Sequence, residues 1–455
     1  MNETLWNKVL QFDPDDPTGE YSFSVRLAAE NRWTKDFTEK AILEYKKFMF
    51  LAAGSDSMVS PSAIVDIVWH QHLIFSQSYA DFCDLLGKNI LHIPSTHHKA
   101  QAERFIQAIT QTKNIYNHHF GQQPENFWLY DTMLSSLKLE PAKLKIGHFA
   151  IYGILVVLIM CIPFYYLLKP VYIHIDNPYF ILSFIALLLP AHVILRLYTK
   201  SRFKQIANGF DKESFIYYLK PFEIIYLKSQ RLADAINGAI SELIHDGIIK
   251  IGADRRLCIL GEAEGLSAEQ LQVVTVLQDR GNIFYARLLQ QLETKAVFSN
   301  IAKSIDLFKS YFRQSKPYAK LFYLNFGVFA VLFIFPLVRL ATGISRDKPI
   351  FQLAILLVLF IVFVINQLNR LNQYFFSHTL PHLYEKTILP KIKDDQDWRW
   401  DYFLYGPAVL TVSLIPLLNE RSSGIYNGGD GGSGGSSCGS SCGSSCGSCG
   451  GCGSD

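Results

Sequence analysis

Four stretches of this 455-residue chain contain no Asp, Glu, Lys or Arg and hold more contiguous apolar surface than water tolerates. Phe149–Leu168 (FAIYGILVVLIMCIPFYYLL) and Pro178–Leu195 (PYFILSFIALLLPAHVIL) are joined by KPVYIHIDN, and Leu321–Val338 (LFYLNFGVFAVLFIFPLV) and Ile350–Ile365 (IFQLAILLVLFIVFVI) are joined by RLATGISRDKP. At 1.5 Å rise per residue, a helix of about twenty residues spans a hydrocarbon layer of roughly 30 Å, and tilt or flanking polar groups absorb the mismatch of a shorter run. Two membrane hairpins are expected. Apolar residues make up 49% of the chain and charged residues only 18%, which suits an integral membrane protein better than a soluble one. A net charge of +3 is too small to indicate nucleic acid as a partner.

Orientation follows from Lys and Arg near the runs. Lys138, Lys143 and Lys145 precede the first run and Arg196, Lys200, Arg202 and Lys204 follow the second, against Lys169 alone in the first connector. The second hairpin is less biased, with Arg313, Lys316, Lys320 and Arg370 on one side and Arg339, Arg346 and Lys348 on the other. Met1–Asp16 carries five charged residues and lacks the basic start and apolar run of a secretory signal. The N-terminus and all large polar parts are therefore expected to face the cytoplasm.

The expected fold class is mainly α: an integral membrane protein with four transmembrane helices, an N-terminal helical domain and a winged-helix-like α+β insertion. Its parts are a helical domain over 1–135, hairpins over 146–198 and 319–368, the insertion over 199–318, a polar helix plus a short apolar segment over 369–426, and a Gly/Ser/Cys-rich tail over 427–455. In the first domain, apolar periodicity predicts helices over Phe37–Ala52, Ser62–Leu86 and Lys99–His119, with Ser60 as N-cap ahead of Pro61 and Gly87 as the stop. In the insertion, helices through Phe222–Tyr226 and Leu232–Ile244 precede IIKIGADRRLCIL, whose alternation around a GADR turn reads as a two-stranded wing. The second helix is expected to expose Asp234, Asn237, Ser241 and Glu242, which offer no basic stripe for phosphate and so favour a protein partner over nucleic acid. Gly406, Pro407 and Pro416 interrupt the apolar run Tyr402–Leu418, which reads as a surface or core segment and not as a fifth span.

Chemistry-bearing residues concentrate in AIVDIVWHQHLIFSQSYADFCDLLGKNILHIP, Ala63–Pro94. Successive helical residues turn by about 100°, so His70 and His72 lie on nearly opposite faces and need separate explanations. His72 falls on the stripe Ile64, Val68, His72, Phe75, Tyr79, Phe82, where a neutral, hydrogen-bonded core imidazole is the simplest reading. His70 shares a face with Asp66, four residues earlier. That spacing permits either a carboxylate orienting an imidazole or two ligands to one metal, with His92 as a third donor. Further imidazoles stand at His97, His98, His118 and His119. The alternative is a hydrogen bond donated by His70 to Asp66 that locks the helix against the HIP turn, with Trp69 packed alongside.

A second set of donors lies in the tail: Cys438, Cys442, Cys446, Cys449 and Cys452, at separations that suit zinc or another thiolate-binding metal. The tail has no aromatic or branched residue with which to build a knuckle and is expected to be disordered alone, so beside metal binding or thiol cross-linking the competing reading is a flexible segment whose cysteines serve processing or attachment. No nucleotide-binding loop, HExxH or GxSxG occurs, and among the runs only His192 is ionisable, which argues little for transport.

SPSAIVDIVWHQHL, followed by SYADFCDLLG and HIP, resembles the N-terminal region of glycine-rich domain-containing proteins, whose signature is a proline-led VDxxWHxH helix with a later Tyr, Cys, Gly and His. LKPFEIIYLKSQRLADAINGAISELIHDGIIKI, the hairpin after it and the Gly/Cys tail resemble uncharacterised bacterial membrane proteins that end in low-complexity sequence. The resemblances imply a bacterial cytoplasmic membrane and an architecture, with no established reaction. The plant members of the first group are associated with stress responses and RNA binding through parts this chain lacks. The functional expectation is a non-enzymatic membrane scaffold or sensor, with the bilayer and a protein as partners and metal or redox input at the tail. The alternative is a metal-dependent enzyme centred on Asp66, His70 and His92.

Overall fold

Three of the uncharged runs lie within longer helices, Ile146–Tyr172, Asn177–Asn208 and Lys316–Ile344, and the fourth lies within Phe351–Tyr374 apart from Ile350, its N-cap. All four are long and apolar enough to cross a membrane. The computed structural model describes residues 3–16, 19–93, 99–261, 265–392, 397–412 and 414–422, and it is mainly helical. The four helices share a core of their own, in which Phe184, Phe329 and Phe360 are buried with Val157, Val338 and Leu353. The third helix is the central one, with 44% of its most apolar window buried against 6% for the first. The outward surface of the first helix remains apolar, with Ile154, Leu158 and Ile162 all more than half exposed.

The helices run past the uncharged stretches, so the connectors are shorter than expected. The first helix continues to Tyr172, and the second starts at Asn177 with Pro178 in its first turn. Arg339, expected in the second connector, is a buried residue of the third helix. Its guanidinium donates to the carbonyls of Tyr172 and Ile175 and, at 3.0 Å, to Asn177 Oδ1. These are acceptors that a helix end and a short turn leave without partners, so one cation of the second hairpin stitches the turn of the first.

In the N-terminal part, helix Lys35–Gly54 is the hub. The continuous helix expected over Ser62–Leu86 is two helices, Ala63–Ile74 and Ser76–Leu86, broken at Phe75 where ψ swings to 64°. The N-cap is Ser62, not Ser60: its hydroxyl accepts from Val65 N and donates to the Phe127 carbonyl. Pro61 thus precedes the cap. Gly87 ends the second helix in the left-handed region, at φ 70°.

In the insertion, helices Pro221–Ser229 and Leu232–His245 precede a three-stranded antiparallel sheet in the order β1 (Ile249–Ile251), β2 (Arg256–Ile259), β3 (Ile283–Phe284). Ile249 pairs with Ile259 across the expected GADR turn, which Gly252 N closes on the Arg256 carbonyl at 2.8 Å. The supposed exposed face of Leu232–His245 is covered. Asn237, Ser241 and Glu242 are buried, because Trp398 and Arg399 bond Glu242, Thr411 N bonds Ser241, and Tyr285 bonds Asn237. The fourth long helix also continues, through π-helical stretches Phe375–Thr379 and Tyr384–Ile388, to Ile392. This polar-looking segment buries Phe375, Phe376 and Tyr384. The apolar run Tyr402–Leu418 breaks at Gly406, and Leu410, Leu414 and Leu417 enter the same core.

That core extends from Val9 to Leu417 and joins the N-terminal part to the insertion. At its seam the buried Glu223 carboxylate accepts from Lys220 N, at the start of its own helix, and from Lys35 N, at the start of the hub helix, both at 2.8 Å. Lys35 Nζ reaches the buried Glu269 at 2.8 Å, and Lys220 Nζ reaches Glu39 at 3.0 Å. Burial pushes the Glu223 carboxyl up from its ordinary 4.5 to about 7, against the pull of the two N–H groups and Lys35. Folding therefore favours the protonated form. Its contribution is complete below about pH 4.5 and is lost as pH rises through about 7. Denaturant unfolding of the full chain in detergent should show that loss. In Glu223→Ala it should vanish, and stability should fall by about 2 kcal/mol, because two half-buried helix-start N–H groups lose their acceptor.

Candidate metal centre

The Ser62 cap orients the first turn of Ala63–Ile74, and Asp66 stands in that turn, where the helix dipole favours a carboxylate. His70 follows one turn later, with Nδ1 2.9 Å from the Asp66 carbonyl and 3.3 Å from Asp66 Oδ2. His92 arrives from the segment after Gly87. Two interactions hold that segment. Tyr79 accepts from Trp69 Nε1 at 3.1 Å and donates to the Ile90 carbonyl. Lys88 Nζ caps the hub helix by donating to the carbonyls of Ala52 (3.2 Å) and Ser55 (2.8 Å). His92 Nε2 then lies 2.9 Å from Asp66 Oδ1, with its ring 4.3 Å from that of His70 and 4.6 Å from Trp69, centroid to centroid.

The three residues present one ligand atom each within 4.8 Å of one another. Bonds of 2.0–2.1 Å at tetrahedral angles place two ligands of zinc about 3.3 Å apart; His92 meets Asp66 Oδ1 at 2.9 Å and His70 meets the other oxygen, Oδ2, at 3.3 Å, so the three side chains must draw in towards one point to hold one ion. The His92 side chain is 15% exposed, whereas those of Asp66 and His70 are 37% and 56% exposed, so the cluster is supported from behind and open in front. It lines an open cleft of about 620 Å³ with Ser62, Trp69 and Lys88. Two imidazoles and a carboxylate with an open side form the donor set of hydrolytic zinc and of non-haem iron sites.

His72 has no part in the cluster. Buried completely, it bonds Tyr45 at 2.8 Å through Nδ1 and Ser78 at 3.1 Å through Nε2, which matches one donor and one acceptor of a neutral ring. Burial also keeps the Tyr45 phenol protonated. His118 and His119 close helix Lys99–Phe120 and stand apart, with His119 against Phe50 and Phe120. His97, His98 and the five tail cysteines lie outside the described residues. Cys83, Cys161 and Cys258 are free thiols. The supports that sequence reasoning missed are Tyr45, Tyr79 and Lys88. Only the place of Tyr79 on the apolar stripe hinted at any of them.

No family model, curated protein or solved structure proves similar to this chain.

The His72 imidazole is pushed down from its ordinary 6.5 to about 4, first by burial and then by nearby Lys46. Folding thus favours the neutral ring. Its contribution is complete above about pH 6.5 and is lost as pH falls through about 4, a difference of about 3 kcal/mol. Acid unfolding followed by tryptophan fluorescence should lose much of its steepness in His72→Gln. Tyr45→Phe, which leaves Nδ1 unpaired, should cost about 1–3 kcal/mol at neutral pH.

Proposed function

We propose that the protein is a membrane-anchored scaffold or sensor whose input is a divalent metal ion of the zinc type, held by Asp66, His70 and His92. The observation that carries this reading is the convergence of three ligating side chains, one of them brought from 26 residues further along the chain, on one side of an open cleft. The four apolar helices support anchorage in a bilayer, and the Lys and Arg flanking them support a cytoplasmic N-terminus. The insertion, with two helices followed by a short antiparallel sheet, serves in this reading as a winged-helix-like adaptor for a protein partner. The likeness of the WHQHL element to glycine-rich domain-containing proteins fits a domain that binds rather than catalyses.

Metal would act here through structure. An ion shared by helix Ala63–Ile74 and the His92 segment would lock one to the other, and helix Lys35–Gly54, which Lys88 caps, would transmit the change to the seam with the insertion. The openness of the 620 Å³ cleft favours a second reading, a metal-dependent hydrolytic enzyme in which the open coordination position holds water or substrate. In that case zinc-loaded protein turns over a substrate. In the first case zinc changes only stability and partner binding.

Competition titration with a zinc chelator on the full chain separates the donor sets. His92→Ala should weaken binding by roughly 100-fold or more, since loss of an outer-shell partner alone costs 10–100-fold. Cys→Ser at all five tail positions should leave the affinity unchanged. Zinc that follows the tail cysteines and ignores His92→Ala would overturn the reading.

A further inference from the structure

A second cleft, of about 360 Å³, lies between the second, third and fourth long helices, and its chemistry differs from that of the first. Arg196 and Lys200 reach it from one face of Asn177–Asn208, and Arg370 reaches it from Phe351–Tyr374. The imidazoles of His192 and His378 stand in the same wall, and among the described residues no carboxylate lines the cleft. The base is rigid. Asn325 of the third helix is buried there and donates to Thr199 Oγ1 at 3.1 Å and to the Leu321 carbonyl at 2.8 Å. His192 packs on Phe363 and His378 on Tyr374, which fixes both rings.

Three exposed cations line one cavity without a carboxylate among its lining residues, an arrangement that attracts an anion. Guanidinium groups from two helices suit a phosphate, whose oxygens accept their paired N–H groups. The backbone is adapted to this place as well, because His378 lies in the π-helical stretch Phe375–Thr379, a widened turn often found at functional sites.

The depth of the cleft points to the kind of anion. Arg196 directly follows the last residue of the second uncharged run, and Arg370 lies five residues beyond Ile365, about 7.5 Å of helix rise. With the four helices in a bilayer, both guanidinium groups stand at headgroup level. Next to them on the second helix, Val193, Ile194 and Leu197 are 51%, 67% and 63% exposed, which gives acyl chains an apolar surface beside the cations. The apolar wall of the cleft itself includes Leu195, Phe329 and Leu371.

We propose that this cleft binds the phosphodiester of an anionic phospholipid, with Arg196, Lys200 and Arg370 as the phosphate ligands. The assignment rests on the bilayer placement of the four helices and is independent of the metal cluster. The chemistry recognised is a phosphate-centred anion, for which a free phosphate ion is the other source.

The test uses the full chain reconstituted in phosphatidylcholine vesicles, with energy transfer from tryptophan to a fluorescent phosphatidylglycerol or phosphatidylcholine as the readout. Wild type should prefer phosphatidylglycerol. Arg196→Gln and Arg370→Gln, both at exposed positions, should each lower that preference roughly five-fold. Lys348→Gln, in the opposite connector, should leave it unchanged. Absence of a preference in wild type, or equal preference in the arginine variants, overturns the site. Displacement of the labelled lipid by millimolar inorganic phosphate, at constant ionic strength and with the same sensitivity to Arg370→Gln, keeps the phosphate chemistry but overturns the lipid source. Failure of wild type to insert into neutral vesicles overturns the bilayer placement, and this site with it, while leaving the chelator titration to judge the metal.

Discussion

One buried carboxylate sets the relation between the two polar halves of the molecule. Glu223 accepts the first free N–H of the hub helix and the N-cap N–H of its own helix, so two helix starts that would otherwise carry unpaired donors into the interior share one acceptor. Because both bonds are short and directional, they fix the angle at which Lys35–Gly54 leaves the seam. The hub helix then determines what lies further out. Its Tyr45 holds His72, its C-terminal carbonyls hold Lys88, and between them these contacts place the helix that carries Asp66 and His70 against the segment that carries His92.

The long helices impose a second constraint. Two long helices joined by a short turn return the chain to the end it left, so two hairpins leave the N-terminal part, the insertion and the segment after the fourth helix together. Their common core from Val9 to Leu417 agrees with this geometry. On the other side Arg339 closes the arrangement by filling the acceptors of the first turn. The two clefts therefore occupy distinct environments. One lies in the polar domain, open to solvent and lined by two imidazoles and a carboxylate, and the other lies between the long helices, lined by cations.

What the sequence displays most openly is whatever depends on neighbours in the chain. The four apolar helices, the Gly87 stop, the GADR hairpin and the burial of His72 all follow from local spacing or turn chemistry, and the structure has them. Differences arise where a distant partner decides. Ser62 displaces Ser60 as the cap because the Phe127 carbonyl engages its hydroxyl, and the helix breaks at Phe75 while His72 and Ser78 remain bonded across the break. Asn237, Ser241 and Glu242 looked like a solvated face, yet Arg399, Thr411 and Tyr285 come from elsewhere to satisfy them. The Asp66–His70 pair was visible as an i, i+4 spacing, whereas its contact with His92 depends on the tertiary hold of Tyr79 and Lys88.

X-ray absorption at the zinc edge of the full-length, zinc-loaded protein tests the central claim most directly, because nitrogen or oxygen ligands and sulfur ligands differ in distance. The account predicts a first shell of light donors at 2.0–2.1 Å with outer scattering from two imidazole rings and no sulfur. A shell dominated by sulfur at about 2.3 Å would move the metal to the cysteine tail and contradict the assignment to Asp66, His70 and His92.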